Sequence, residues 1–380
     1  MAERTLLTVG HSYVVAENRR LAHEMALQGR GRWRVTAIAP SAFRGDLRDV
    51  QLEPIEGEAC EVRRIAVRFD RSPHFMWYSG LRRAMAGTWD VVHCWEEPYV
   101  FAGAQIARTS PPESALVVAT FQNISKRYPW PFSAFERRTM ARADGWIAFG
   151  QSIGRTMESR DGYDAVTAVI PPGVDVSRFR PDPETTRSMR ARIGWPADAR
   201  VVGFTGRFVP QKGLRIMCAA LAASQTPWRA LFVGGGPLEH ELRQFAAAHP
   251  GRVHIETQVP HSEMPRWLNA MTMLCAPSQT TAAWREQFGR MLIEAMAAGV
   301  AIAASDSGEI PYVVSDAGIV VPEGDAAAWT RAIDRLLTND RAREDFVRRG
   351  LDRARQCFSW PIVAQRHLEF FETVLERRAA

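Results

Sequence analysis

Two carboxylates and two cations stand out in the second half of the chain by their type and spacing. Glu286 and Glu294 are eight positions apart, and Arg207 and Lys212 lie in a glycine-containing stretch, 203–213. Arginine and lysine bind phosphate oxygens, and carboxylates accept hydrogen bonds from hydroxyl groups. Together these side chains could hold an extended ligand in which a diphosphate lies between two sugars.

The two carboxylates lie on either side of a predicted helix start. Apolar residues recur at three- and four-residue spacing from Phe288 to Met296, which predicts a helix with a buried face, and Gly299 is a natural end for it. Glu286 then lies in the preceding loop and Glu294 two turns into the helix, beside core residues. Because an unpartnered buried carboxylate is costly, we expect a hydrogen-bond partner for Glu294. The alternative is a surface Glu286 and a Glu294 that is paired with a nearby arginine.

The two cations follow a predicted strand and precede a predicted helix. Ligands bind at the carboxyl ends of parallel strands, where glycine turns and free N–H groups can meet a pyrophosphate. The stretch 203–213 is not a P-loop, because no Ser or Thr follows a Gly-Lys pair. The alternative is a glycine turn with solvated basic side chains.

Two further glycine turns follow predicted strands. Gly234 opens Gly-Gly-Gly-Pro, where a dinucleotide fingerprint would need a glycine at Glu239, so a dehydrogenase is disfavoured. This turn fits tight helix packing as well as ligand approach. Gly10 and His11 end the first predicted strand, and His11 is either a ligand contact or an ordinary loop histidine.

The length of 380 residues predicts two domains, and strands alternate with helices in both halves. This pattern predicts parallel sheets that are covered on both faces. We expect an N-terminal domain at 1–175, joined by the last helix at 358–378, a linker at 176–199 and a second domain at 200–357. The predicted strands are 6–9, 34–39, 90–94, 116–120, 145–149, 166–170, 201–206, 230–233, 253–256, 273–275, 301–304 and 319–321, and one of the predicted helices spans Phe75–Met85.

Composition narrows the class of protein. The net charge of +6 comes largely from arginine and fits acidic ligands, nucleic acid or an anionic membrane surface. No zinc-finger, RRM or basic-region pattern is present, so no nucleic-acid partner is expected. No apolar run approaches the roughly 18 residues of a spanning helix, and residues 1–10 show no signal-peptide pattern. The five scattered cysteines favour a cytoplasmic protein with reduced thiols and no metal site.

The chain resembles retaining GT-B glycosyltransferases of family GT4 across nearly its whole length. The resemblance is carried by 90–93, 143–148 and 172–175 in the first half, and by 203–213, 234–237, 259–260, 277–278 and 286–299 in the second. It implies an α/β fold with two Rossmann-like domains that face each other across a cleft, and a C-terminal helix that crosses back to the first domain. It also implies a nucleotide diphosphate sugar as donor, with no metal or other cofactor.

The resemblance implies a role for each matching residue. Arg207 and Lys212 would neutralise the donor pyrophosphate, Glu286 would contact hydroxyls of the transferred sugar, and Glu294 would hold the ribose. The remaining donor-binding residues implied are Gly206, Gly234, Val259, Phe288, Gly289 and Arg290. We expect front-face transfer with retention, in which Glu286 positions the sugar and is not a nucleophile.

The acceptor side departs from the family pattern. Many relatives have a histidine after the strand at 116–120, whereas this chain has Gln122 and Asn123, which hydrogen-bond but do not exchange protons at neutral pH. With Gly10 and His11 they are the predicted acceptor-side residues. The acceptor would be a glycan, a lipid-linked molecule or a small molecule.

Aromatic and basic residues interleave at 74–83 and 126–138. This pattern fits a peripheral contact with the inner face of the plasma membrane, but core aromatics beside a solvated basic face are the favoured interpretation. Three alternatives to transfer stay open at this level: a GT-B epimerase, a phosphorylase, and a non-catalytic protein that binds nucleotide sugars.

Overall fold

The computed structural model describes residues 3–44 and 49–380. The chain divides into two compact units. The first unit consists of Met1–Pro172 together with Trp360–Ala380, and the second unit consists of Gly173–Ser359. Each unit is built around one parallel sheet, as the alternation of strands and helices predicts.

The first unit contains a sheet of eight strands in the order β10-β9-β8-β7-β1-β2-β5-β6 and a separate β3-β4 hairpin. The sheet is parallel except for β6, which runs antiparallel to β5. The strands are β1 Arg4–Val9, β2 Trp33–Pro40, β3 Ala42–Arg44, β4 Asp49–Gln51, β5 Glu61–Arg68, β6 Trp77–Ser79, β7 Val91–Cys94, β8 Ala115–Thr120, β9 Gly145–Ala148 and β10 Val166–Val169. The helices are α1 Ala16–Gln28, α2 Leu81–Ala84, α3 Phe101–Thr109, α4 Phe132–Arg142, α5 Gln151–Glu158 and the last helix of the chain, Trp360–Ala379.

Both faces of this sheet are buried, which explains the continuous apolar runs of its strands. The neighbours Leu6 and Leu7 on β1 pack into different core clusters on opposite faces. The strand order changes direction between β1 and β7, which pair with Val9 beside Cys94. Crevices for ligands form at such switch points, beyond the carboxyl ends of the strands.

The last helix belongs to the first unit, as predicted. The indole Nε1 of Trp33 donates to Glu372 at 3.1 Å. A side chain at Gly145 would put its Cβ only 2.8 Å from Val374, so the helix packs directly against β9. Residues of this helix form one of the two core clusters together with α1.

The second unit contains a fully parallel sheet of six strands in the order β13-β12-β11-β14-β15-β16. The strands are β11 Val201–Arg207, β12 Arg229–Gly235, β13 Val253–Glu256, β14 Met273–Ala276, β15 Ala301–Ser305 and β16 Ile319–Val321. The helices are α6 Pro183–Arg192, α7 Leu214–Ala223, α8 Glu239–Ala248, α9 Met264–Asn269, α10 Arg290–Ala297, α11 Ile310–Val314, α12 Ala326–Thr338 and α13 Asp340–Arg353. The helix at Trp360–Ala379 is therefore α14.

The switch point of the second sheet lies between β11 and β14. The turn after β11 is forced close to the end of β14 at Gly213, which has a φ of +68°. A Cβ at this glycine would lie 1.7 Å from the carbonyl oxygen of Pro277. Only glycine fits there, and this close approach holds the Lys212 turn against the loop that follows β14.

The structure differs from the sequence prediction in three respects: one predicted helix, the unpredicted strands β3, β4 and β5, and the predicted linker. The predicted helix Phe75–Met85 is instead strand β6 followed by the short helix α2, because Tyr78 pairs with Val67 on β5 and Gly80 adopts a φ of +75°. Strand β5 was not predicted, because it is polar along most of its length and shows no clear apolar alternation.

The third difference concerns the segment 176–199, which was predicted to be a linker. It lies within the second unit and contains α6. Asp182 caps this helix by accepting from the N–H groups of Glu184 and Thr185, and Pro183 occupies its first turn. The helix was not predicted because its sequence is polar and rich in arginine, although the Asp-Pro pair at 182–183 is a typical helix start.

Candidate active site

A cavity of about 400 Å³ lies at the switch point of the second unit. Seven of the predicted ligand-binding residues line it together: Gly206, Arg207, Lys212, Glu286, Gly289, Arg290 and Glu294. The remaining lining residues are Thr205, His261, Met264, Trp284, Gln287 and Met291. The structure therefore brings both cations and both carboxylates to one pocket.

Glu286 and Lys212 contact each other directly. The Nζ atom of Lys212 lies 2.5 Å from Oε2 of Glu286, and Ser278 Oγ donates to the same oxygen at 2.7 Å. The side chains of Lys212 and Glu286 are only 13% and 9% exposed. Each of these largely buried charges is neutralised by the opposite charge of its partner. The ammonium also lies 5.4 Å from the ring centroid of Trp284. Resemblance assigned these two residues to different parts of a ligand, whereas the structure shows them as an ion pair.

The loop that carries Glu286 is fixed by its backbone. Its carbonyl oxygen accepts from the N–H of Glu309 at 3.1 Å, and its own N–H donates to Ser307 Oγ at 3.4 Å. Helix α10 begins four residues later, after Gly289 with a φ of +81°. Glu286 thus precedes the helix and Glu294 lies inside it, as the periodicity predicted.

Glu294 has the hydrogen-bond partner that its burial demands. Its Oε1 atom lies 2.8 Å from Nε2 of His261, and its side chain is 8% exposed. The other ring nitrogen of His261, Nδ1, lies 2.9 Å from Nη2 of Arg178. Sequence analysis expected a partner for Glu294 but did not identify these two residues, which are 33 and 116 positions away from it.

The other predicted donor-side residues do not line the cavity. Phe288 is buried and packs edge-on against Phe358 at 5.9 Å, and Val259 packs against the same core cluster. A Cβ at Gly234 would lie 1.8 Å from the carbonyl oxygen of Gly206. The close approach of two strand ends therefore accounts for this glycine.

A second cavity, of about 280 Å³, lies at the switch point of the first unit. His11 follows β1 and Glu96 follows β7, and their side chains meet there. His11 Nδ1 lies 2.7 Å from Oε2 of Glu96, while the His11 N–H and the Tyr78 hydroxyl donate to Oε1 at 2.6 and 2.5 Å. Burial alone would lower the pKa of His11, but the Glu96 carboxylate outweighs it, so the pKa is raised above 6.5.

Glu97 is the second carboxyl group of this cavity. It accepts from Thr120 Oγ1 and from the N–H of Phe121, both at 2.7 Å. Burial raises its pKa to about 7, and these two hydrogen bonds only partly oppose that rise. The rest of the cavity is largely aromatic and includes Trp95, Tyr99, Phe121 and Phe149. It therefore combines flat apolar surfaces with carboxyl groups, a combination suited to hydroxylated ligands.

Of the predicted acceptor-side residues, His11 alone lines this cavity. Gly10 packs against Trp95, whose Cβ would be 2.9 Å from a Cβ at that position. Gln122 donates to the hydroxyl of Tyr99 at 3.0 Å, so it contacts the lining from behind, and Asn123 is buried.

Glu96 and Glu97 were missed by the sequence analysis. Their signal was their position directly after the predicted strand 90–94, the same argument that selected Gly10 and His11.

Two kinds of feature are absent from the described part of the chain, 3–44 and 49–380. No group of three or more His, Cys, Asp or Glu side chains there could hold a metal ion. No helix in those ranges is both long enough and apolar enough to cross a lipid bilayer.

Both halves of the chain match known family patterns. Residues 199–339 match the family described as glycosyl transferases group 1, and residues 19–178 match glycosyltransferase family 4. A phosphatidyl-myo-inositol mannosyltransferase of Mycolicibacterium smegmatis is 32% identical over 297 residues, covering 76% of this chain and 72% of that protein. The chain belongs to glycosyltransferase family 4. This confirms the predicted family and the prediction of a glycosyltransferase.

Other members and solved structures agree with this assignment. A D-inositol 3-phosphate glycosyltransferase of Kineococcus radiotolerans is 27% identical over 389 aligned positions, covering 91% of this chain and 82% of that protein. The Anabaena protein HepE, solved in complex with UDP, is 19% identical with a TM-score of 0.73, covering 97% and 100% of the two chains. Sucrose-phosphate synthase of Thermosynechococcus elongatus is 18% identical with a TM-score of 0.75, covering 99% and 100%. These structures show that the family 4 chain has the GT-B fold.

Proposed function

We propose that this glycosyltransferase binds a nucleoside diphosphate sugar in the cavity of the second unit and transfers the sugar to an acceptor hydroxyl with retention of configuration. The observation that carries the proposal is the gathering of Arg207, Lys212, Glu286 and Glu294 around one cavity of about 400 Å³. A diphosphate needs the two cations, and hydroxylated groups need the two carboxylates. The UDP bound to HepE is consistent with this ligand class.

The two cations differ in how they would act on the diphosphate. Arg207 is exposed at the end of β11, and a guanidinium can bind two phosphate oxygens at once. Lys212 is a partly buried point charge held in place by Glu286. Both would stabilise the negative charge that develops as the bond between the sugar carbon and the diphosphate oxygen breaks. We propose that they supply this stabilisation without a metal ion.

The acceptor proton requires no protein base in this mechanism. As the acceptor oxygen bonds to the sugar carbon, its proton passes to the departing phosphate oxygen on the same face. Glu286 is already engaged by Lys212 and Ser278, so it serves as a hydrogen-bond acceptor for hydroxyls of the transferred sugar. Its role is to position the sugar for the reaction.

For the acceptor, we propose the aromatic and acidic cavity of the first unit. Its carboxyl groups accept from hydroxyls, and its rings cover the apolar faces of a sugar or cyclitol. The names of the relatives from Mycolicibacterium smegmatis and Kineococcus radiotolerans both include an inositol. The acceptor class that these observations support is a polyhydroxylated molecule, either a glycan, a small molecule or the headgroup of a lipid.

We also propose a peripheral contact of the first unit with an anionic membrane surface on the cytoplasmic side. Phe69, Phe75 and Trp130 are 71%, 51% and 82% exposed, which is unusual for large apolar side chains. Exposed cations accompany them at Lys126 and Arg127. Apolar side chains that enter the interface and cations that meet acidic headgroups are the two requirements of such a contact.

The donor site is tested by thermal unfolding with a panel of UDP, GDP and ADP sugars, because a ligand that binds only the folded state raises the melting temperature. We expect one sugar nucleotide to raise the melting temperature of the wild type, and a smaller rise for Arg207→Ala and Lys212→Ala. Lys126→Ala is the matched control, since the chain has only two lysines. Equal rises in all four proteins would disprove the assigned diphosphate site.

Transfer is distinguished from the alternatives by the products. A glycosyltransferase releases the free nucleoside diphosphate when acceptor is present, an epimerase converts the donor without release, and a binding protein does neither. The membrane contact is tested separately by sedimentation with phosphatidylglycerol or phosphatidylcholine vesicles. We expect binding to the anionic vesicles only, and weaker binding for Trp130→Ala; equal sedimentation with both would contradict the contact.

A further inference from the structure

The hydrogen bonds at Glu294 continue away from the cavity through two residues that no family motif singled out. His261 follows β13 and begins a short 3₁₀ turn, His261–Glu263. Arg178 lies near the start of the second unit, and its backbone N–H donates to Asp175 Oδ1 at 3.2 Å. The three side chains thus come from three separate segments of the same unit.

The chemistry of arginine fixes the tautomer of His261. Nη2 of Arg178 lies 2.9 Å from Nδ1 of His261, and a guanidinium can only donate. Nδ1 must therefore accept, so a neutral imidazole carries its proton on Nε2. That N–H then donates to Glu294 Oε1, 2.8 Å away. Both bonds exist together only in this one tautomer.

The orientation of the ring is fixed as well as its tautomer. Nη2 of Arg178 also donates to the backbone carbonyl of His261 at 2.9 Å, so one guanidinium holds both the ring and the main chain. The same guanidinium stacks over Phe179 at 4.9 Å, and Phe179 contacts the His261 ring at 5.7 Å. His261 therefore approaches Glu294 in one defined geometry.

This arrangement leaves one carboxylate oxygen for a ligand. Oε1 of Glu294 is engaged by His261, whereas Oε2 makes no hydrogen bond with the residues in 3–44 and 49–380. Glu294 is 8% exposed and lines the cavity, so its remaining accessible surface belongs to the cavity. A carboxylate oxygen at the wall of a cavity can accept a hydrogen bond from a ligand hydroxyl.

We propose that Arg178 and His261 are positioning residues that set the Glu294 carboxylate for the ribose hydroxyls of the donor, so that the enzyme selects ribonucleotides through a hydrogen-bond chain from Arg178 to His261 to Glu294. The inference rests on the proposed function of the cavity. It adds that recognition of the ribose depends on two side chains outside the residues that touch it.

The experiment compares affinities for UDP, GDP and ADP with those for their 2′-deoxy and 3′-deoxy forms, measured by calorimetry on the full chain. For the diphosphate that the wild type binds best, we expect a ribose preference of about tenfold, the size of one hydrogen bond to a charged group. The variants His261→Phe and Arg178→Met each interrupt this hydrogen-bond chain. Either should reduce the ribose preference to less than about threefold, mainly by weakening binding of the ribonucleotide.

Two further variants separate positioning from a merely structural role. His261→Gln places an amide N–H near the position of Nε2 and should restore most of the preference. His254→Phe is the matched control, because His254 pairs with Glu256 at 3.1 Å in the same unit but does not line the cavity. It should keep the wild-type preference.

The results distinguish failure of this inference from failure of the proposed function. If His261→Phe and Arg178→Met bind more weakly but keep the tenfold preference, the two residues only support the fold and the inference is wrong. A wild type that binds a diphosphate without preferring ribose also overturns it. A wild type that binds none of the three diphosphates contradicts the proposed donor site itself. His261→Phe and Arg178→Met change two different residues of the hydrogen-bond chain, so the test does not depend on the folding of a single variant.

Discussion

The two cavities occupy equivalent places in the two units but have opposite chemistry. Each lies at the switch point of a parallel sheet, beyond the carboxyl ends of the strands. In the second unit, Arg207 ends the central strand β11 and Lys212 lies in the turn that follows it. In the first unit, the acidic residues Glu96 and Glu97 follow β7, beside the central strand β1. The same architecture therefore carries the proposed diphosphate site in one unit and the proposed site for acceptor hydroxyl groups in the other.

The charged groups of the two cavities differ in how their burial is compensated. Lys212 and Glu286 neutralise each other at 2.5 Å, so the second cavity keeps a charged pair that a diphosphate can join. Glu97 accepts its hydrogen bonds from Thr120 and the backbone of Phe121, which are uncharged groups, and burial raises its pKa to about 7. A carboxyl group near neutrality can both accept from and donate to ligand hydroxyls. The sheet topology therefore determines where each cavity lies, while the neighbouring side chains determine the charge of the groups that line it.

The largest expected effect comes from removing the cation of the second cavity. Lys212→Ala should lower kcat by about 10²–10³-fold, because a fixed charge at the leaving group is lost and Glu286 stays buried without its partner. Steady-state kinetics with the donor identified by thermal unfolding measures this. Lys126→Ala, the other lysine, should stay within about twofold of the wild type, because Lys126 is exposed and lines neither cavity. A Lys212→Ala enzyme that keeps wild-type kcat would remove the basis of the comparison.

The next effect concerns the stability of the first unit as the pH changes. Glu97 has a pKa of about 7 in the folded protein against 4.5 for an ordinary glutamate, so the folded state binds more protons between these values. The raised pKa therefore has no effect on the free energy of unfolding below pH 4.5. As the pH rises to 7, it lowers this free energy by about 3 kcal/mol at most. Glu97→Gln should be more stable relative to wild type at pH 8 than at pH 5.

Urea unfolding at pH 5, 6, 7 and 8 measures this difference. The control is Glu113→Gln, an exposed glutamate of the same unit, for which the difference from wild type should stay constant with pH. His11 acts in the same direction in all three proteins, because its raised pKa stabilises the fold at low pH and this contribution is lost as pH rises. Parallel curves for wild type and Glu97→Gln would show that Glu97 is ionised like an exposed carboxylate.

The smallest expected effect is a change in the pKa of one histidine of the first cavity, His11. In Glu96→Gln the carboxylate that raises the pKa of His11 is gone, while the burial that lowers it stays. We expect the pKa of His11 to fall below 6.5, measured by NMR titration of the ring protons and assigned with His11→Asn. Glu97→Gln should leave this pKa unchanged. A raised pKa that persists in Glu96→Gln would mean that another group supplies the negative charge.

Much of the second cavity was predictable because its residues are encoded by local patterns. The apolar periodicity of α10 placed Glu286 in a loop and Glu294 inside the helix, and the predicted strand 201–206 placed Arg207 and Lys212 at a strand end. Val259 and Phe288 were assigned through resemblance and lie outside the cavity lining, since Phe288 is taken up by the core. A motif identifies a segment, but packing decides which of its side chains face a ligand.

The first cavity was less predictable because its signal is not local. Glu96 and Glu97 look like ordinary surface residues in the sequence, and their burial depends on Tyr78, Thr120 and the backbone of Phe121, which come from other elements. Helix α6 was not predicted for a related reason: its sequence is polar, and its Met189 becomes part of the core only through contact with other residues of the second unit.

The amino-acid sequence alone determined the two α/β units, most of their strands and the types of charge at the predicted strand ends, because hydrophobic periodicity and turn residues act over a few positions. Only the tertiary structure decided which charges meet: Lys212 with Glu286, His11 with Glu96, and Arg178 with His261 and Glu294. These partners are 33 to 85 positions apart in sequence. Their contact is set by how the strands are ordered in each sheet, a property of the whole unit that no short stretch of sequence contains.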